Sequence, residues 1–236
     1  MIWGGVLFAS VLRSFTGFGF ALAAVPLFSM FLPPAEAVVL SSSLVLAISL
    51  LSLRSYWGVV SLREIAPLIS MSWLGTMVGV AVLTGISVAL FQLWVGLSVL
   101  FACIGITVSR PARPWNSRLL TWGTGLLSGL MNGALAIPGP PMIIYAMLTE
   151  FEPRRSRALL MTFFMISAFL ALVSYAVAGM VNLQTLGYFA LAFPMLYLGD
   201  KLGTTLFLRF GDAFYRRAAL VGLAAIGVTL TLRALL

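Results

Sequence analysis

Two stretches, "SFTGFGFALAAVP" from Ser14 to Pro26 and "SGLMNGALAIPGP" from Ser128 to Pro140, decide how this chain is read. Each sits in an apolar run of membrane-helix character, yet each carries glycines with hydroxyl or amide groups that a plain lipid span avoids. The stretches start 114 positions apart (128 − 14) and match Ser14 with Ser128, Gly19 with Gly133 and Pro26 with Pro140. Further on, "GVVSL" from Gly58 resembles "GMVNL" from Gly179, and "LGTMVG" ending at Gly79 resembles "LGDKLG" ending at Gly203, in the same order. Such ordered self-similarity is the mark of an internal duplication.

Composition sets the solvent. With 61% hydrophobic and 8% charged residues among 236, and a mean hydropathy of +1.11, the chain has too little polar surface for a water-soluble globule. It reads as an all-α polytopic membrane protein. The apolar runs cover roughly 1–31, 35–53, 65–86, 88–108, 119–148, 158–178, 183–208 and 218–236, and about 20 residues cross about 30 Å of hydrocarbon. No polar linker marks off a soluble domain, so residues 1–236 are one transmembrane domain: repeat A 1–108, basic linker 109–118, repeat B 119–236. The net charge of +8 comes from arginines scattered over short loops, which suits cytoplasmic membrane loops and a lipid bilayer partner, not nucleic acid. Cys103 is the only cysteine, so no disulfide is expected. "MIWGGVLFAS" lacks the basic region of a signal peptide and is read as mature sequence.

Loop charge orients the halves. "FLPPAEA" has no basic residue, whereas its partner "EFEPRRSRA" has Arg154, Arg155 and Arg157. The loop with Arg54 and Arg63 corresponds to the uncharged "AGMVNLQ", and "TGISV" to a loop with Arg209, Arg216 and Arg217. Opposite bias in all three pairs predicts an inverted-topology repeat, an architecture of secondary transporters. Inversion needs an odd number of crossings per half, yet each half has four apolar segments, so one segment in each must turn back. Segment 119–148 has Arg-rich loops on both sides and is predicted to enter and leave by the cytoplasmic face, with 1–31 re-entering from outside. Each half is thus one re-entrant or broken-helix hairpin plus three transmembrane helices, with both termini outside. Tilted single spans, their glycines serving close helix packing, are the competing reading.

A helix broken at membrane depth must be buried in protein or line a wet cavity, since unpaired backbone groups in lipid cost several kcal/mol. The second half-helices are expected to begin near Gly19 and Gly133, aiming unpaired N–H groups and their partial positive charge at a shared anion. Gly17 and Gly129 would let a ligand approach the backbone. Arg13, costly at depth without a partner, is read either as the anion's counter-charge or as a cap on its own half-helix. Ser14, Thr16, Ser128 and Asn132 are the polar groups of the two tips; Ser41, Ser42 and Ser43, with Thr162 opposite Ser41 in the repeat, are hydroxyls that could line the path; each alone is also a plain helix-to-helix or backbone bond. Pro26, Pro138, Pro140 and Pro141 set entry angles and remove donors. Asp200 and Lys201 lie about 26 Å along their segment and are placed near the cytoplasmic interface; a proton-coupling site is the alternative reading of the pair. Gly75/Gly79 and Gly199/Gly203 are packing pairs.

With no histidine, six acidic residues mostly at loops and no "GxxxxGK[ST]" motif, the chain offers no imidazole metal site, no paired carboxylates at depth and no P-loop. No cofactor, no metal and no enzymatic role are expected. "TGFGFALAAVPLF", "LPPAEAVVLSSSL", "GLLSGLMNGALAIPGPPMIIY" and "LGDKLG", in order over about 4 to 232, resemble the sulfite exporter TauE/SafE family of membrane transporters. The resemblance implies movement of sulfite or an organosulfonate across the bacterial inner membrane, coupled to a proton or sodium ion, and a homodimer is compatible with it. At the second tip "NGALAIPGPP" departs from the G-x-G-G-G run of many members, which opens the choice between sulfite and a larger organic anion. A passive anion channel and a non-transporting scaffold are the other classes considered.

Overall fold

The computed structural model of the chain describes residues 2–16, 19–107, 115, 117–210, 221 and 223–232. They are helical throughout, with no strand among them. In order come α1 (Ile2–Thr16), α2 (Phe20–Ser29), α3 (Pro34–Leu51), α4 (Leu62–Gly85), α5 (Val88–Thr107), α6 (Arg118–Leu135), α7 (Gly139–Thr149), α8 (Pro153–Val177) and α9 (Leu183–Phe210). A further apolar helix, α10, covers Leu223–Leu232. Among the described residues α3, α4 and α8 are long and apolar enough to cross a membrane. Their outward faces keep large apolar side chains, Trp73, Leu74, Met77 and Val78 on α4 for example, and all six tryptophans are exposed. That is the surface of a helix bundle solvated by lipid.

Local chemistry explains the boundaries. Pro34 and Pro153 open α3 and α8, where a missing N–H costs nothing. Glu36 lies in the first turn of α3, on the positive end of the helix dipole. Ser61 caps α4, its side chain accepting from the Arg63 N–H at 3.3 Å.

Both long N-terminal segments of the halves are broken. α1 stops at Thr16 and α2 starts at Phe20; α6 stops at Leu135 and α7 starts at Gly139. These boundaries stand 119 positions apart (135 − 16 and 139 − 20) rather than 114, so Arg13 faces the position of Asn132 and Ser14 that of Gly133. The second interruption is at Ala136–Pro138, and Gly133 lies inside α6, contrary to the expectation that the second half-helix begins near it.

Each broken pair is an antiparallel hairpin. The Trp115 N–H donates to the Leu148 carbonyl at 2.9 Å and Thr121 Oγ1 lies 3.2 Å from the Tyr145 hydroxyl, so α6 begins beside the end of α7. A Cβ on Gly5 of α1 would sit 3.3 Å from the Leu27 side chain of α2, bringing the start of α1 to the end of α2. Arg155 pairs with Glu64 and, at 3.2 Å, with Glu150. That contact joins the first turns of α4 and α8 to the end of α7, and Arg54, Arg63, Arg118, Arg154 and Arg157 belong to the same group of chain ends. The opposite ends, residues 2–5, 27–33, 84–92 and 177–186, hold no Lys or Arg.

Long helices of one half pack on the first arm of the other half's hairpin: α4 on α6, α9 on α1. α3 and α8 pack together between them.

Candidate functional site

The two helix breaks open on one cavity. It encloses about 540 Å³ of space outside the atoms, part of it open, and is lined by Gly19–Leu22 at the first break, Ala136–Gly139 at the second, and Arg13 with Asn132 from the arms that lead into them. α3 adds Ser42, Val45 and Ser49; α8 adds the apolar wall of Met161, Phe164 and Ala168.

The breaks are built differently. Gly19 adopts a left-handed φ of 102°, which glycine tolerates freely, and caps α2 without a side-chain bond. The first bond of α2 runs from the Ala23 N–H to the Gly19 carbonyl at 3.2 Å. Phe20, Ala21 and Leu22 therefore have N–H groups with no partner inside α2, and all three residues reach the cavity. At the other break Ala136 takes the left-handed turn (φ 54°), closing α6 with its N–H on the Asn132 carbonyl at 2.8 Å. Pro138, Pro140 and Pro141 then occupy positions at the start of α7 that would carry orphan donors, leaving Gly139 with an N–H. One helix end offers a cluster of amides; the other offers mainly its dipole.

Arg13 is 5% exposed. Its guanidinium donates to Ser52 Oγ at 3.3 Å and Ser49 Oγ at 3.4 Å, both on or just beyond the end of α3. Asp200 of α9 is half-buried and does not line the cavity. Lys201 points elsewhere, its Nζ 4.6 Å from the Tyr197 ring centre. Tyr56, in the turn after α3, donates to the Ser49 carbonyl at 2.8 Å; burial pushes its phenol up to about 12, so it remains a donor. Outside the cavity, the hydrogen bond and charge of Glu150, then the charge of Glu64, raise Arg155 above its ordinary value.

Asn132, the counterpart of Arg13, donates to the Ser167 carbonyl at 2.9 Å. The buried Tyr175 hydroxyl lies 2.7 Å from the Asn132 carbonyl and 3.0 Å from that of Gly133. This network ties α6 to α8 beside the cavity, and Tyr175 was not singled out from sequence, whereas Ser42, read as one of a hydroxyl cluster that could line the path, does reach the cavity wall. Ser49 and Ser52 were likewise missed: they reach Arg13 across 36 and 39 positions.

Of the residues expected at the site, Arg13, Gly19 and Asn132 line the cavity. Ser41, Ser128 and Thr162 are buried but not on its wall, and the Ser41 and Ser128 hydroxyls have no hydrogen-bond partner. Gly129 and Gly133 face α4: a Cβ on Gly129 would land on the Ser72 carbonyl, and one on Gly133 would come within 2.8 Å of the Val80 nitrogen. Ser14 and Thr16 fall in the last turn of α1, but their side chains, and Gly17 entirely, lie outside the described residues. No group of His, Cys, Asp and Glu among the described residues could hold a metal ion.

Fold and cavity together define a polytopic helical membrane protein with a cavity, walled in part by Arg13, between two broken helices. The chain belongs to the sulfite exporter TauE/SafE family of membrane transporters, whose model matches residues 2–230. No curated protein and no solved structure matches it.

Proposed function

We propose that this protein is a secondary transporter moving a small anion, sulfite or an organosulfonate, across the bacterial inner membrane by alternating access around the two hairpin tips. The single observation that carries the reading is the shared cavity: both helix breaks, the α2 amides and Arg13 converge on it. A cation facing the positive end of a helix dipole in an apolar bundle is stabilised by an anion or water between them. Family membership supplies the transport class.

In this reading the two halves are an inverted repeat, their hairpins dipping into the bilayer from opposite faces. The gathered arginines mark the cytoplasmic side and the uncharged ends the outer one, with the N-terminus outside. The substrate's negative group sits against Arg13 and the α2 N–H groups, and the α7 end adds its dipole. No cofactor takes part, and the work is binding and exposure, not catalysis.

Purified protein in proteoliposomes, loaded with labelled sulfite or an alkanesulfonate, tests the assignment. Accumulation against a gradient that a protonophore or sodium ionophore collapses is the expected result. Equilibration indifferent to both would make the protein a channel, and no flux at all would make it a scaffold.

A further inference from the structure

The cavity wall is matched in position and unmatched in chemistry. Residues 119 positions apart line it in pairs (132 − 13 and 161 − 42, for example): Arg13 with Asn132, Ser42 with Met161, Val45 with Phe164 and Ser49 with Ala168. The first member of each pair belongs to α1 or α3, the second to α6 or α8. Along the pairs the chemistry changes in one direction: a guanidinium gives way to an amide, and two hydroxyls give way to a thioether and a methyl. Among the described residues that line the cavity Arg13 alone is charged, and none is acidic. Its guanidinium is spread on Ser49 and Ser52, and the amides that open α2 reach the same space. The α8 side chains Met161, Phe164 and Ala168 offer no N–H or O–H donor at all.

We propose that the substrate is an organic monoanion with an unsubstituted hydrocarbon body, a short alkanesulfonate, held with its charged head at Arg13 and the α2 amides and its body on the Met161, Phe164 and Ala168 face of α8. This rests on the transporter reading above and decides between the two substrates that reading leaves open. Sulfite is polar on all sides. An oxygen turned towards α8 loses its water and gains no donor, and a buried polar group left unsatisfied costs more than an ordinary hydrogen bond returns. A hydrocarbon body in the same place gains roughly fourfold in affinity for each methylene it buries. A second anionic group finds no second cation on the wall, and an ammonium finds no carboxylate, so either is buried unpaired.

The apolar face is preformed. Phe163, fully buried, meets the Phe164 ring edge-on, with centroids 5.9 Å apart and planes at 70°, so the core and not the ligand fixes that ring. Asn132 holds the Ser167 carbonyl at 2.9 Å, in the turn of α8 that carries Ala168. The α8 face therefore selects among anions by what lies behind the charged head.

Calorimetry of the full-length protein with methanesulfonate, butane-1-sulfonate, 3-aminopropane-1-sulfonate, propane-1,3-disulfonate and sulfite tests this. The wild type should bind butane-1-sulfonate roughly 10- to 60-fold more tightly than methanesulfonate, three further methylenes at up to about fourfold each. The aminosulfonate, which puts an ammonium where butane-1-sulfonate has its methyl, and the disulfonate should bind at least about tenfold more weakly than butane-1-sulfonate. Met161→Ser and Ala168→Ser, each copying its match on α3, should weaken butane-1-sulfonate by about threefold or more and leave methanesulfonate within about twofold; Ala168→Ser carries the comparison if Met161→Ser does not fold. Arg13→Gln should weaken the whole series alike, which separates the cavity from uptake of the longer chain into detergent. Equal affinity for the two alkanesulfonates overturns the inference and leaves the transporter standing. So does sulfite or the aminosulfonate binding as tightly as butane-1-sulfonate, or a chain-length preference that survives the serine variants or ignores Arg13→Gln. A wild type that binds none of the five overturns the transporter reading itself.

Discussion

The α4–α6 seam and the α1–α9 seam are built to the same plan and finished differently. In each, a glycine of a long helix sits on the first arm of a broken one. A Cβ on Gly75 would strike the Leu126 carbonyl and approach the Leu130 nitrogen at 2.7 Å; one on Gly199 would approach the carbonyl of Leu7, 119 positions before Leu126 (126 − 7). Yet five glycines, Gly75, Gly79, Gly125, Gly129 and Gly133, bring α4 and α6 together backbone to backbone, and the polar contact between them is the neutral Thr76. The α1–α9 seam has Ser10 Cβ in place of a glycine and carries Arg13 and Asp200. Backbone surfaces in full contact have no side chain to rearrange, so the first seam is a fixed frame. The second seam instead brings Arg13 to the cavity wall, where the transport reading proposed above puts the substrate.

The largest effect should come from filling the frame. Gly129→Ala puts its Cβ on the Ser72 carbonyl. Relief requires moving a helix, and overpacking of this kind costs about 1–3 kcal/mol or more. Loss of monodisperse protein, or a melting temperature lowered by many degrees in detergent, is expected. Gly123→Ala, in the same helix but with nothing within 4 Å of its Cβ, should be neutral or up to ~1 kcal/mol stabilising through helix propensity. Equal behaviour of the two variants would dissolve the contrast between the seams. Gly199→Ala should fall between them and be partly rescued by Ser10→Gly, because its nearest clash at 2.6 Å is with a side-chain atom. No such suppressor exists for Gly129.

Next come the two residues that stand at matching positions on the cavity wall. Arg13→Gln removes the cation while leaving an amide to reach Ser49, so anion affinity should fall by about 10–150-fold, the ~1.5–3 kcal/mol of a hydrogen bond to a charged group, with little change in melting temperature. Asn132→Ala should behave in the opposite sense. Its amide holds the buried Ser167 carbonyl, and orphaning that acceptor costs about 1–3 kcal/mol of stability. Transport loss in this variant should therefore come with a lower melting temperature. Binding isotherms and thermal melts on the same preparations separate the two.

That the helices would be broken was legible because glycine, hydroxyl and amide groups cluster where lipid would reject them. The position of the second break was not. Gly133 looks like a hinge, but a glycine in a membrane helix also serves as a contact surface, and Gly133 does so against Thr76 and Val80. The turn is taken instead by Ala136, a residue that rarely adopts φ > 0. Pro138 and the restriction it places on Ile137 held the better clue. Arg13 was legible as a charge out of place. Its seryl partners were not, since nothing local ties residue 13 to residues 49 and 52.

The smallest effect should be at the arginine-rich face. Arg155 joins Glu64 of the first half to Glu150 of the second, and the side chains of Arg155 and Glu64 are 36% and 51% exposed. An ion pair so open to solvent contributes about 0–1 kcal/mol, since water and salt screen it and two long side chains must be held still. Glu64→Gln should leave the melting temperature within a degree or two and anion affinity unchanged. The same contact bridges the halves away from either glycine seam, so it can bias their relative movement without adding to stability. A changed transport rate with unchanged melting would give this face a part in the motion. Unchanged rate and melting together would leave this contact without a part in either stability or transport.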